Sequence, residues 1–247
     1  MEVLGVRVDN LTRAEILAQA RNFLNEKKFH QIATINPEFI VTAQKDAKLK
    51  KILNNCDLNV ADGTGINFAF WRRGERLKFR LPGADLMDEI LKLAEEKNLK
   101  IFLAANKNGL STWEETRDAI LNKYPKLIIS GANLSCHSRL DRESSEEIAN
   151  PKLDSFVRGN DILFCNFGAP DQEKFLNSLK SAGNDNIRLA MGVGGSFDYL
   201  TGKISRVPVW MRNLGLEWLG RLIKQPGRAK RILNAVIVFP IKIIFIK

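Results

Sequence analysis

Short runs of apolar residues alternate along this chain with stretches in which apolar side chains recur every three or four positions. The runs fall at 30–35, 57–61, 100–105, 126–130, 161–167 and 187–193, each the length of a buried strand. Helical spacing appears between them at 12–28, 84–98, 109–124 and 170–183, and a further helix is read over 38–53. Thr12 with Glu15 three residues on forms a capping box that satisfies orphan N–H groups and fixes where the first helix begins. No internal repeat is present. Strands and helices alternating in this way predict an α/β fold, a Rossmann-like and mostly parallel sheet with helices on both faces.

Two stretches break the rhythm. Ser135–Asn160 is polar and weakly periodic, and Pro151 interrupts what helix pattern it has. Its CHSRLDRESS wording reads as a translated repeat lodged in the gene, hence a surface insertion or replacement. The end of the chain, 218–247, reads as a basic and apolar appendage to an α/β domain spanning 1–217. Its last part, Ile232–Lys247, is strongly apolar but too short to span a bilayer, with Pro240 and Lys242 inside it. Two readings stay open for it: a segment lying on the membrane, or a last core element of the domain.

Composition sharpens the picture of that tail. The chain of 247 residues carries a formal charge of +10. Residues 218–247 hold seven Lys or Arg and no acid, which leaves only +3 for the rest. The residues interleaved with these charges are Ile, Val and Phe, which favours an anionic lipid surface over nucleic acid. Exposed apolar faces on the last helices also offer a way for two copies to pair. Three cysteines, Cys56, Cys136 and Cys165, give neither an even framework nor a CxxC pair, so neither disulfides nor a zinc site is expected. The N-terminus has no basic region followed by a long apolar run, so no signal peptide is read and a cytoplasmic location is expected.

Chemistry gathers at the predicted strand ends, where open α/β sheets bind ligands. Asp62 follows the run Leu58–Ala61 and precedes Gly63 and Gly65, which suits a general base in a crevice; the alternative is a cap for a helix starting near Thr64. Thr34 and Asn36, two apart, face the same way and are able to hydrogen-bond a sugar, although Asn36 before Pro37 also suits a helix cap. Arg80, ahead of Pro82-Gly83, is placed to hold a diphosphate or a sugar hydroxyl, or is solvated surface. Gln172 and Glu173 fall in the first turn of a helix opened by Pro170. Gln172 is preferred as the sugar contact, since Glu173 also serves by complementing the helix dipole. Gly192, Gly194 and Gly195 let backbone amides approach a phosphate, or serve tight turns. Asp198 suits ribose hydroxyls or a helix cap. Arg206, Arg212, Arg221, Arg228 and Arg231 supply fixed positive charge for an anionic partner, or a solvated basic face.

Five blocks carry a resemblance: TINPEFIV (34–41), NVADGTGI (59–66), RLPGADLM (80–87), FGAPDQEKF (167–175), and GVGGSFDYLTGKISRVPVW with LEWLGRLIKQPGRAKR (192–231). Together and in order, the chain resembles the WecG/TagA/CpsF family of bacterial glycosyltransferases. The resemblance implies that Asp62 is the general base and that Thr34 and Asn36 line the catalytic pocket. It also implies a phosphate or sugar role for Arg80, and that Arg221, Arg228 and Arg231 complete the site. The donor would be UDP-N-acetylmannosamine or its uronic acid, with a UDP-glucose-type donor as the alternative, and the acceptor a polyprenyl-diphosphate-linked sugar. Transfer would invert the anomeric carbon, at the inner face of the cell membrane, in teichoic acid, enterobacterial-type antigen or capsular polysaccharide assembly. Family members carry an aromatic, glycine-containing turn near 135–160 that is not found here.

No DxD motif occurs, and His30 and His137 lie away from every candidate site, so no metal or other cofactor is expected. Arginines and helix N-termini would then stabilise the leaving diphosphate. Two other classes compete: a non-catalytic UDP-sugar-binding membrane module, should 135–160 have ruined the site, and a nicotinamide oxidoreductase. The latter lacks a GxGxxG after the first strand.

Overall fold

In the computed structural model, which describes residues 1–135, 157, 159–208, 210, 211, 217–224, 227 and 229–245, the alternation predicts the architecture well. A short antiparallel pair, β1 (Glu2–Val3) and β2 (Val6–Arg7), is followed by α1 (Arg13–Asn25), β3 (His30–Ile35), α2 (Pro37–Ala43) and α3 (Ala47–Asn54). Next come β4 (Leu58–Ala61), α4 (Thr64–Arg72), α5 (Gly83–Glu96), β5 (Lys100–Asn106), α6 (Trp113–Lys123) and β6 (Ile128–Leu134). The second half holds β7 (Ile162–Cys165), α7 (Asp171–Ser181), β8 (Leu189–Gly192) and α8 (Ser196–Leu200), then α9 (Glu217–Lys224), α10 (Ala229–Leu233) and α11 (Phe239–Phe245).

Six strands form one sheet in the order β4-β3-β8-β7-β5-β6, every pair parallel. Side chains alternate across it as the pleat requires. Ile32, Leu103, Phe164 and Met191 enter one apolar layer with Leu24 of α1, Ile90 of α5 and Ile120 of α6. On the other face, Ala33 and Ile35 meet α2, α3 and α4, while Leu163 and Ala190 meet Leu176 and Leu179 of α7. Burial on both faces explains why β3, β4, β5, β7 and β8 read as apolar runs, whereas β6, at the edge of the sheet, has no buried residue.

Helix starts follow local chemistry. The Thr12 capping box forms as expected, and Thr112 with Glu115 builds a second at α6. The single helix read over 38–53 is instead two. The Asp46 carboxylate accepts from the Leu49 amide and opens α3, and it pairs with Lys174 of α7 at 2.8 Å. A side chain that caps and pairs in this way stabilises a break that apolar spacing does not reveal.

At the end of the chain, Ala229–Leu233 leads through a π-helical stretch, Asn234–Val238, into α11. The Phe239 amide donates to the Asn234 carbonyl, and the widened turn gives the Pro240 ring space where a regular turn would press it on the carbonyl four residues back. Phe239 is fully buried in the layer formed by Phe39, Ile66 and Phe70. The core reading of this segment therefore holds for one of its faces. Leu233, Ile237, Ile241 and Ile244 are exposed. No helix among the described residues is long and apolar enough to cross a membrane. The stretch 135–160 lies almost wholly outside the described residues.

Candidate active site

The carboxyl ends of β3, β4, β5, β7 and β8 meet around a cavity of about 400 Å3, within the usual range for small-ligand sites. Four of these strands deliver a polar side chain as they end, Asn36 after β3, Asp62 after β4, Asn106 at the tip of β5 and Asn166 after β7, and β8 ends on Gly192. All five line the cavity. The Asp62 amide donates to the Ile35 carbonyl at 2.7 Å, continuing the β3–β4 ladder by one residue and fixing where its side chain leaves the sheet.

A second cavity, about 160 Å3, adjoins the first. Asp62, Asn36, Glu38 and Arg231 line both. The second is otherwise bounded by Arg80, Thr64, Trp218 and the apolar residues Ile232, Ala235 and Val236. Asp62 thus stands at a junction between a polar chamber and one walled by the C-terminal segment.

Gly63, not Asp62, occupies the cap position of α4. An Asp62 carboxylate oxygen instead lies 3.4 Å from the Gly83 amide at the start of α5, which ties it to the Pro82-Gly83 turn. Asn36 does cap: its side-chain oxygen accepts from the Phe39 amide at 3.0 Å, with Pro37 as the first helical residue. Its position on both cavity walls shows that capping and cavity lining are compatible. Thr34 is buried on the wall of the larger cavity, and a Cβ on Gly83 would come within 3.2 Å of its hydroxyl. Arg80 lines the smaller cavity.

Gln172 is the central strut of the larger cavity's floor. Its side-chain oxygen accepts from the amides of both Gly168 and Gly194 at 3.1 Å, and its nitrogen donates to Glu173 at 2.9 Å. One side chain therefore bridges the loops after β7 and β8. Glu173 lies beneath the wall, 1 % exposed, and burial pushes its carboxyl up to about 8. Gly192 leaves no room for a side chain, because a Cβ there would fall on the Gln172 amide. Gly194 has φ +50 and nothing within 4 Å of where a Cβ would sit. The space beside its Cα is therefore open toward the cavity that Gly195 also lines, while its N–H is taken up by Gln172.

Asp198 lines the same cavity but is 7 % exposed, and its carboxylate accepts from the Ser111 hydroxyl at 2.8 Å. It is the third residue of α8 and does not cap it. Arg231 pairs with Glu38, and its guanidinium approaches Gly168. Arg221 belongs to α9, but its side chain lies outside the described residues, as does all of Arg228. Among the described residues, no group of three His, Cys, Asp or Glu side chains gathers as a metal site would require.

Sequence reasoning passed over several residues of this site. Glu38 sits inside the quoted TINPEFIV block and was legible there as a second acid next to the pocket. Asn106 and Asn166 are tied together, the Asn106 amide donating to the Asn166 side chain at 2.6 Å. Their only signal was position, each standing where an apolar run stops. Arg206, placed only among the general cations, lines the larger cavity and grips Asp85 of α5 through two hydrogen bonds of 2.5 and 3.3 Å.

A model of the glycosyl transferase WecG/TagA/CpsF family matches residues 1–247. This chain belongs to the WecG/TagA/CpsF family. Among its curated relatives are N-acetylglucosaminyldiphosphoundecaprenol N-acetyl-beta-D-mannosaminyltransferases of Staphylococcus aureus strains NCTC 8325, COL and MSSA476. Each is 30 % identical over 237 residues, covering 94 % of this chain and 89 % of the relative. Membership of the WecG/TagA/CpsF family makes the chain a glycosyltransferase, and the strand-end cleft is where such an enzyme on this fold would work.

Proposed function

We propose that the protein transfers N-acetylmannosamine, or the corresponding uronic acid, from a UDP-sugar to a polyprenyl-diphosphate-linked N-acetylglucosamine, with inversion. The acceptor and sugar follow the activity for which the staphylococcal relatives are named. The observation that carries the reading is the place of Asp62, a carboxylate shared by two adjoining cavities of different character. The larger is polar and floored by glycine loops, which suits a nucleotide diphosphate. The smaller has Arg80 and Arg231 beside Trp218 and apolar side chains, which suits a diphosphate followed by sugar and lipid.

In the proposed step, Asp62 takes the proton from an acceptor hydroxyl while that oxygen attacks the anomeric carbon. The bond from that carbon to the diphosphate breaks on the opposite side, and UDP leaves with the electron pair. Thr34 and Asn36 orient the sugars, and Gln172 holds the floor loops in register. Arg231 and Arg206 stabilise the departing charge without a metal ion. The reaction takes place at the inner membrane surface, where the apolar C-terminal stripe rests, within a cell-surface polysaccharide or teichoic acid pathway.

The test is UDP release with UDP-N-acetylmannosamine and a short-chain lipid diphosphate N-acetylglucosamine. Asp62→Asn is expected to lower turnover by ~10²–10⁴-fold, the usual worth of a general base, while the KM for donor stays close to that of the parent. Unchanged turnover in Asp62→Asn would remove the carboxylate from the mechanism. Absence of UDP release with any UDP-sugar would overturn the activity.

A further inference from the structure

Residues 71–80, WRRGERLKFR, hold five basic side chains against one acid, Glu75. They begin at the last turn of α4 and run along the surface of the body, held there by Asn10, which donates to the Arg76 carbonyl and accepts from the Lys78 amide, and by Leu77 packed on the core. Trp71 is 71 % exposed, one of the most solvent-facing large apolar side chains described, and Phe79 is also exposed. Arg72, Arg73 and Arg76 are exposed, and none forms an ion pair among the described residues. Trp71, whose ring meets Phe68 at 5.9 Å, together with Phe79 and three exposed guanidinium groups makes a mixed apolar and cationic surface of the kind that marks an interaction site.

The position of this patch indicates what covers it. Helix α4 starts two residues after Asp62, and Arg80, at the far end of the patch, lines the smaller cavity. One end of the segment, Arg80, therefore reaches the acceptor chamber, and the chain from Trp71 to Phe79 leads up to it. Helix α11 packs along α4 through Phe239, whose ring lies 3.4 Å from where a Cβ on Gly65 would sit. The exposed Ile241, Ile244 and Phe245 of α11 are thus borne on the same helix pair as Trp71. Aliphatic residues next to Trp and Arg match the layered chemistry of an anionic bilayer surface, where indole sits at headgroup depth and guanidinium meets phosphate. A nucleic acid would have no use for the aliphatic members.

We propose that Trp71, Arg72, Arg73, Arg76 and Phe79 form a second membrane contact, built into the α/β body and independent of the basic tail, that binds anionic lipid headgroups at the mouth of the acceptor chamber. This rests on the membrane-surface reading above. With contacts on both sides of the smaller cavity, the chamber is held facing the lipid rather than merely tethered near it.

The experiment uses the full chain in co-sedimentation with vesicles of phosphatidylglycerol and phosphatidylcholine, and with phosphatidylcholine alone. The triple variant Arg72→Gln, Arg73→Gln, Arg76→Gln is expected to lose roughly fivefold in partitioning per arginine on the anionic vesicles and nothing on the neutral ones. Trp71→Ala is expected to weaken binding separately, and the parent's Trp71 emission to be quenched by brominated lipid, judged by subtraction of Trp71→Phe. Circular dichroism checks that each variant folds. Turnover with a water-soluble acceptor is measured alongside. Its retention, with loss of vesicle binding, separates this surface from the active-site reading; loss of turnover in Asp62→Asn alone bears only on the latter. Equal vesicle binding by parent and triple variant overturns the proposal. So does displacement of the parent from vesicles by an oligonucleotide that the triple variant no longer binds.

Discussion

Glu173 offers the sharpest thermodynamic test of the structure. Its carboxyl is 1 % exposed; one oxygen accepts from Gln172, and the other has no partner among the described residues. Burial disfavours the charged form, and Asp171 nearby adds to the effect, so the group holds its proton up to about pH 8 against an ordinary 4.5. The unfolded chain gives that proton up near 4.5. Between the two values the folded state binds one proton more than the unfolded state, so stability falls as pH rises. The contribution is fully present below 4.5, declines by about 1.4 kcal/mol per pH unit, and is exhausted above about 8. From pH 5 to pH 7 this one group should cost the protein about 2.5 kcal/mol.

Glu173→Gln keeps the shape and still offers an oxygen to the Gln172 amide, but has no proton to lose. Urea denaturation of parent and variant at half-unit steps from pH 5 to pH 8 isolates the effect, because the other carboxylates cancel in the difference. The variant's stability is expected to rise relative to the parent's by about 1.4 kcal/mol for each unit. Parallel curves, or a difference that shrinks with pH, would refute a buried neutral Glu173 and with it the described floor of the cavity.

Other outcomes follow from the same geometry. Glu173→Leu removes the acceptor that orients the Gln172 amide, so the KM for donor should rise with little loss of fold; an unchanged KM would separate the Gln172 strut from donor binding. Asp46→Ala should cost ~1–2 kcal/mol in urea melts, through loss of the α3 cap and the Lys174 pair. Phe239→Ala should cost roughly 3 kcal/mol locally, seen as faster proteolysis of the C-terminal segment and a higher KM for acceptor as Arg231 leaves the junction. Transfer should persist in excess chelator, measured as UDP release; abolition reversed by one divalent ion would overturn metal-independent stabilisation of the leaving group.

The fold was legible because a doubly covered parallel sheet demands apolar residues on both strand faces. All six strand runs in the sequence correspond to strands of the sheet, with only the ends adjusted. The break between α2 and α3 was not legible. Asp46 acts there through a cap and through Lys174, more than a hundred residues away, and neither leaves a mark on local apolar spacing. The site was legible to the extent that its residues stand where strands stop: Asp62, Asn36 and Gly192 are each the last or first residue past a strand. Glu173 was read as a first-turn acid on a helix, which is its backbone position. What periodicity misses is the direction of its side chain, inward under Gly192 rather than out toward solvent.

The C-terminal segment shows why sequence left two readings open there. A helix apolar on every side has no preferred face, so spacing alone separates neither membrane contact nor core packing. The fold shows core packing on one face and leaves an apolar face exposed, the one the proposed membrane contact would use. Phe239 anchors one face against α2 and α4, which fixes the segment relative to Asp62, and Leu233, Ile237, Ile241 and Ile244 remain outside. Because Arg231 stands eight residues before Phe239 on the same helical segment and lines both cavities, any force that positions the exposed stripe also positions a cation at the Asp62 junction. A lipid-bound acceptor would then meet its charge-stabilising residue through the same element that meets the lipid, so membrane contact and assembly of the site would be one event rather than two.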